Sequence, residues 1–267
     1  MAALACAGSR TPRGTVLVGA PRGARTGARR RVRMSASERV PSAAVLRLWR
    51  DAQAVCFDVD STVIQEEGID KLAECCGAGA AVAQWTAKAM EGGVTFQEAL
   101  QARLDLIRPS TQAVEALMRD SPLQLSPGVE KLVAALHARG TAVYLISGGF
   151  RQMIYPIADS LNVPRENVYA NNILFDDVTG EFRGFDEAEF TSQSGGKAEA
   201  IKHIRRTQGH STIFMIGDGA TDLEAKVPGG ADAVVGYGGV AVREKVLNHA
   251  DWFVYSFEPL IAELGQR

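Results

Sequence analysis

The chain is poor in the residues that build disulfide frameworks and soft-metal sites. It has four cysteines and four histidines in 267 residues. Cys6 lies in a basic leader, Cys56 in an apolar run, and Cys75 and Cys76 are adjacent, a placement that excludes a disulfide scaffold. There is no CxxC, and His137, His203, His210 and His249 are scattered, so a zinc-type site is not indicated. No stretch approaches the roughly 18 apolar residues of a membrane helix, so no membrane partner is expected. Acidic residues are missing from positions 1–37, which carry eight arginines; the remainder has 21 basic against 31 acidic residues, a net charge of −10. That leader is rich in Arg, Ala, Gly, Ser and Thr and its longest apolar stretch is Val16-Leu17-Val18, the composition of an organelle transit peptide. Import into an organelle, chloroplast or mitochondrion, is expected. The alternative, a basic arm binding nucleic acid, rests on residues 1–37 alone.

What is there is a set of short continuous apolar runs alternating with helical periodicity. Ala54-Val55-Cys56-Phe57, Ala142–Ile146, Thr212–Ile216, Ala233-Val234-Val235 and Trp252–Tyr255 read as buried strands. The segments between them read as helices, which predicts an α/β fold with a parallel sheet covered on both faces. From Glu66 to Leu125 the period is helical throughout. Apolar stripes run through Ile69, Leu72, Ala73 and Cys76, then Val82, Trp85 and Ala89, then Phe96, Leu100 and Leu104. Thr95 and Glu98 form a capping box for the third of these, and a fourth helix follows Ser110. These sixty residues are a helical insert. The predicted organisation is a leader over 1–37, a core over 38–65 and 126–267, and a helical cap over 66–125. Ser126-Pro127 is expected to start a helix, Ser147-Gly148-Gly149 to be a loop at a helix start, and 168–185 to form a hairpin turning at Asp177–Gly180.

Three predicted strands end in polar or glycine-rich loops: Asp58-Val59-Asp60-Ser61-Thr62, Ser147-Gly148-Gly149 and Gly217-Asp218-Gly219-Ala220-Thr221-Asp222. In parallel α/β sheets ligands bind at these carboxyl ends, so the chemistry should lie where the loops meet. Each loop has an ordinary alternative as a turn or helix cap. Together with Lys197, in Ser194-Gly195-Gly196-Lys197, they supply several carboxylates, one ammonium and amide donors. Hard oxygen ligands without His or Cys suit Mg2+ together with a phosphate. Asp58 can act as nucleophile toward phosphorus and Asp60 as the acid and then base, with Lys197 balancing the phosphoryl charge.

These motifs, in this order, resemble the four motifs of the haloacid dehalogenase superfamily. The stretches Asp58–Asp70, Leu145–Phe150, Ser194–Lys197 and Met215–Glu224 resemble most of all its phosphoserine phosphatase family in the plastid-type plant and algal form. The resemblance implies a Rossmann-like core, a helical cap inserted after the first motif and a small β-hairpin element. It also implies magnesium-dependent hydrolysis of O-phospho-L-serine, a small-molecule substrate, by a monomer or homodimer. By the same resemblance Asp58, Asp60, Asp218 and Asp222 serve the metal, and Glu67, Met90, Phe96, Arg103, Ser147, Gly148, Gly149, Lys197 and Thr221 the substrate. Glu67 is expected to receive its ammonium and Arg103 its carboxylate. The chain departs from the family at Glu91, where many members have glycine, and Glu91 is left out of the site. A related phosphatase or phosphotransferase acting on another small phosphomonoester is the alternative, and the plastid-type likeness makes the chloroplast the expected destination, with the mitochondrion as second choice.

Overall fold

Five short apolar runs and a sixth segment become the six strands of one parallel sheet in the computed structural model, which describes residues 40–90 and 94–266. The strands are β1 (Ala54–Phe57), β2 (Ala142–Phe150), β3 (Val168–Asn171), β6 (Ile213–Gly217), β7 (Ala233–Tyr237) and β8 (Trp252–Val254), in the order β3-β2-β1-β6-β7-β8. Every pairing in this sheet is parallel. The chain steps outward from β1 to β2 and β3 and then returns to β6 on the other side of β1. That reversal opens a crevice at the carboxyl ends of β1 and β6.

Both faces of the sheet are covered, which is why β1, β6 and β8 are apolar at every position rather than alternately. On one face α1 (Ala43–Arg50), α6 (Val129–Ala138), α7 (Arg151–Ser160) and α11 (Glu258–Leu264) bury Leu132, Leu136, Ile154, Ile157 and Leu260 against Val55, Phe57 and Phe214. Trp49 is fully enclosed there, its indole N–H donating to the Leu260 carbonyl at 3.1 Å and its ring edge-on to Phe214. On the other face α8 (Gly196–Gln208) and α10 (Glu244–His249) cover Cys56, Ile146 and Met215 with Ile201, Ile204 and Val246. Each such enclosed aliphatic or aromatic side chain contributes about 1.5–3 kcal/mol of transfer free energy.

A third apolar cluster belongs to the helical segment that follows β1. Here α2 (Gly68–Cys75), α3 (Gly79–Met90), α4 (Phe96–Ile107) and α5 (Thr111–Asp120) gather Leu72, Val82, Leu100, Leu104, Val114 and Leu117. The capping box forms as expected: the Glu98 amide donates to Thr95 Oγ1 and the Thr95 amide to Glu98 Oε2. The chain enters and leaves this segment through two linkers paired side by side, Gln65 N–H to the Gln124 carbonyl at 2.9 Å and Ser126 N–H to the Val63 carbonyl at 2.8 Å. Among the described residues no helix is long and apolar enough to cross a membrane.

Three expectations are corrected. Residues 168–185 are not one hairpin. Val168–Asn171 is the edge strand β3 of the main sheet, and only β4 (Ile173–Phe175) and β5 (Phe182–Phe185) form an antiparallel pair. That hairpin buries Ile173, Phe182 and Phe185 in the cluster of the helices α2 to α5. Ser147-Gly148-Gly149 is no loop at a helix start but the extended, bulged end of β2, held beside β3, with α7 beginning at Arg151. Ser126-Pro127 does not cap α6. The two residues belong to a turn closed by Val129 N–H on the Ser126 carbonyl, and the helix starts from Gly128, whose φ of 89° favours glycine. The leader, residues 1–37, lies outside the described residues.

Candidate active site

β1 delivers Asp58 to the crevice with its amide tied to the Ile216 carbonyl of β6 at 2.8 Å, so the first acidic loop starts from a fixed point. The following turn, Val59–Val63, passes through Ser61 in left-handed backbone, φ 52°. A non-glycine residue held there is strained by about 1–3 kcal/mol. The turn brings Ser61 Oγ to donate to Glu67 Oε1 at 2.7 Å, just ahead of α2.

β6 delivers the second acidic loop. Asp222 is wholly enclosed and its Oδ2 accepts the Gly219 amide at 2.9 Å. Lys197, on the first turn of α8 and also buried, donates from Nζ to Asp222 Oδ1 at 2.6 Å and to Asp58 Oδ1 at 2.9 Å. One ammonium therefore joins the ends of β1 and β6. Asp58, Asp218 and Asp222 bring carboxylate oxygens within 4.8 Å of one another. Three hard, negatively charged oxygens with no nitrogen or sulfur among them fit a small divalent cation that keeps waters and shares a phosphate.

Asp60 has partners of its own. Its carboxylate is outside that trio: Oδ1 accepts the Gly68 amide at 2.6 Å and Oδ2 accepts Ser147 Oγ at 3.2 Å. Burial pushes Asp60 above the ordinary carboxyl range, with the Gly68 and Ser147 hydrogen bonds pulling it part of the way back. A carboxyl that keeps its proton to higher pH is protonated when an alkoxide leaving group needs one. Burial likewise raises Asp58 and Asp222, against the pull of Lys197. For Lys197 itself burial disfavours the charge, but Asp222 and Asp58 outweigh it and lift its pKa.

Asp58, Asp60, Lys197 and Asp218 line one cavity of about 460 Å³ that also takes in Glu67, Phe96, Arg103, Gly148, Gly149, Thr221 and Arg243, while Asp222 is enclosed and does not reach its wall. Two glycines are required by close approach. A Cβ on Gly217 would fall 2.1 Å from Asp222 Cγ, and one on Gly149 would fall 2.9 Å from Asp60 Oδ2. Gly217→Ala is accordingly expected to displace the Asp222 carboxylate and cost about 2–3 kcal/mol or more in stability, with a parallel loss of activity. Thermal melting and turnover of the purified variant check this; an unchanged melting point refutes it. The Gly149 amide is not free for an anion, since it donates to Ser147 Oγ at 2.8 Å, a revision of the expected amide seat. Phe96, from the start of α4, sits directly over Gly148, 3.1 Å from where its Cβ would be. Arg103 is half-buried; burial lowers its pKa while Asp70, Glu67 and Asp60 favour the charge. Its Nε donates to the Ala99 carbonyl at 3.0 Å. The side chain of Met90 and residues 91–93, with Glu91, lie outside the described residues.

Sequence reasoning missed Arg243, Thr191, Gln193 and Glu224, all of which line the cavity. Arg243 carried a usable signal: Gly238-Gly239 follows the apolar run of β7, the same strand-end pattern that singled out the other loops.

The description "haloacid dehalogenase-like hydrolase" fits residues 52–226. The chain is 59% identical over 225 residues to the phosphoserine phosphatase, chloroplastic, of Arabidopsis thaliana, covering 84% of this chain and 76% of that protein. It is 47% identical over 220 residues to the human phosphoserine phosphatase, covering 82% and 96%. Among solved structures, DsGPDH of Dunaliella salina superposes with a TM-score of 0.75 at 40% identity, over 84% of this chain but only 38% of that one. The mitochondrial alternative finds no support among these relatives.

Proposed function

We propose, for a chain that belongs to the haloacid dehalogenase-like hydrolases, the hydrolysis of O-phospho-L-serine to L-serine and phosphate through an aspartyl-phosphate. The observation that carries this reading is Lys197 bridging Asp58 and Asp222 in the same cavity as Asp60, Glu67 and Arg103. Asp58 attacks phosphorus, forming its own O–P bond as the bond from phosphorus to the serine oxygen breaks. Asp60 gives that oxygen its proton. Water then attacks the aspartyl-phosphate, Asp60 takes a proton from it, and Asp58 is released with phosphate. Lys197 offsets charge on the transferring group and keeps Asp58 fixed. A divalent cation, for which Mg2+ is the proposal, would be held by Asp58, Asp218 and Asp222 and would supply positive charge to the phosphoryl oxygens.

Substrate selection is assigned to Glu67 for the ammonium and Arg103 for the carboxylate. Both groups line the cavity, and among the described residues no carboxylate lies within salt-bridge distance of Arg103, which leaves its fork available to a ligand. Thr221 is placed on the phosphate, and Phe96, over Gly148, restricts access of water. The similarity to a chloroplastic enzyme supports import into the plastid.

The test is phosphate release from O-phospho-L-serine with and without Mg2+, by the full chain and by a chain starting at residue 38. Magnesium-dependent release supports the reading, and inactivity on this ester with turnover of another phosphomonoester overturns the substrate. For Arg103→Ala, kcat/KM on phosphoserine is expected to fall about 10- to 150-fold, the worth of a charge-assisted hydrogen bond. Turnover of an aryl phosphate, which has no carboxylate for Arg103 to meet, should change little. Equal losses on both esters remove Arg103 from substrate selection.

A further inference from the structure

Lys197 and Arg243 both bind carboxylates of the acidic crevice, and they are held differently. Lys197 is enclosed between Asp58 and Asp222, its side chain 9% exposed. Arg243, from the segment between β7 and α10, is 44% exposed and reaches in from the rim to a carboxylate that is only 3% exposed, donating from Nε to Asp218 Oδ2 at 2.8 Å. Its terminal nitrogen stands 3.6 Å from Glu67 Oε1, the oxygen that also accepts Ser61 Oγ. One guanidinium thus touches a carboxylate of the cation seat and lies beside the carboxylate assigned to the substrate ammonium.

We propose that Arg243 is a relay cation: it neutralises Asp218 until a divalent ion takes that carboxylate, and then turns to the anionic groups of the substrate, coupling metal binding to substrate binding. The inference deepens the phosphomonoesterase reading and rests on it only in requiring an anionic substrate. A divalent ion on Asp218 places like charge beside the guanidinium in a crevice partly shielded from water, where repulsion is strong. Glu67 does not suffice as its next partner, because the substrate ammonium would bring a second like charge there. The negative groups that arrive are a phosphate and a carboxylate, and the planar fork of an arginine matches either. The half-exposed side chain is free to swing, whereas Lys197 could leave only by uncovering two buried carboxylates. Since coupling is reciprocal, an anion that engages Arg243 must also tighten the metal.

The experiment measures Mn2+ binding to the full chain by electron paramagnetic resonance, with and without saturating inorganic phosphate, for wild type, Arg243→Met and Arg243→Gln. Without phosphate both variants are expected to bind Mn2+ at least several-fold more tightly than wild type, the competing cation having gone. The factor by which phosphate tightens Mn2+ should fall at least about fivefold in both, at the lower end of measured coupling between sites. Weaker Mn2+ binding in the variants overturns the relay and makes Arg243 a group that orients Asp218 for the metal. An undiminished phosphate factor overturns it as well. Circular dichroism identifies a variant that fails to fold, in which case the other decides. Wild-type hydrolysis of phosphoserine is read separately: its failure removes the proposed substrate and leaves the Mn2+ result standing.

Discussion

Asp58→Asn is expected to lower turnover of O-phospho-L-serine at least about 10⁴-fold, a rise of about 5.5 kcal/mol in the barrier. The amide is nearly isosteric but lacks the anionic oxygen that attacks phosphorus, so the route through an aspartyl-phosphate closes. Folding should survive. Burial makes the Asp58 carboxylate costly to ionise, and removing that charge relieves a crowded acidic crevice. Lys197 keeps Asp222 as its partner at 2.6 Å, so no buried ammonium is left alone. The metal-free variant should therefore melt no lower than the wild type. Acid-quenched wild-type protein should carry one added phosphoryl group that hydroxylamine removes, and the variant none. Residual turnover within tenfold of wild type, or a phosphorylated variant, assigns the nucleophile elsewhere.

The parts of the fold that could be read from the chain are those where local pattern and tertiary environment agree. Ala54–Phe57 and Ile213–Gly217 are apolar at every position because both faces of the sheet are covered, and each ends in the acidic loop that the pattern marked. The Thr95 and Glu98 capping box needs only neighbours in sequence and formed as written. Reading failed where a distant partner overrides local preference. Glycines at 148 and 149 argue for a loop, yet pairing with β3 keeps the segment extended through a bulge. Val168–Asn171 lies close to a turn that invites a hairpin, but its pairing is with residues more than twenty positions earlier. The site follows the same division. Asp58, Lys197, Asp218 and Asp222 come together as the strand ends suggested. The Asp60 carboxylate is held by the Gly68 amide and by Ser147 Oγ, 8 and 87 residues away, and the contact of Arg243 with Asp218 spans 25 residues.

Lys197→Met should harm stability and activity together, because the ammonium serves two buried carboxylates at once. Removing one partner of a buried charge pair costs about 3–5 kcal/mol. At about 2–4 °C per kcal/mol for a chain of this size, the metal-free variant should melt about 10 °C lower at pH 8. The deficit should depend on pH with a definite sign. Burial already raises Asp58 and Asp222, and Lys197 is the main influence lowering them, so without it both rise further in the folded state. A carboxyl raised by folding binds protons on folding. Its penalty is absent below the unfolded pKa of about 4 and grows as pH climbs toward the folded value. The variant should therefore lose stability from pH 5.5 to pH 8 more steeply than the wild type. In the wild type Lys197, whose pKa folding raises, stays charged throughout that range and its contribution fades only in strong alkali. A divalent cation added to the variant should restore much of the melting point by neutralising the same oxygens. It should not restore turnover, which is expected to remain at least about 10³-fold down, because a metal on the carboxylates leaves the phosphoryl oxygens without the ammonium that Lys197 presents. Calorimetric melts across pH with and without Mg2+, beside single-turnover rates, separate these effects. A melting point that matches the wild type and ignores pH shows that the two carboxylates do not depend on Lys197.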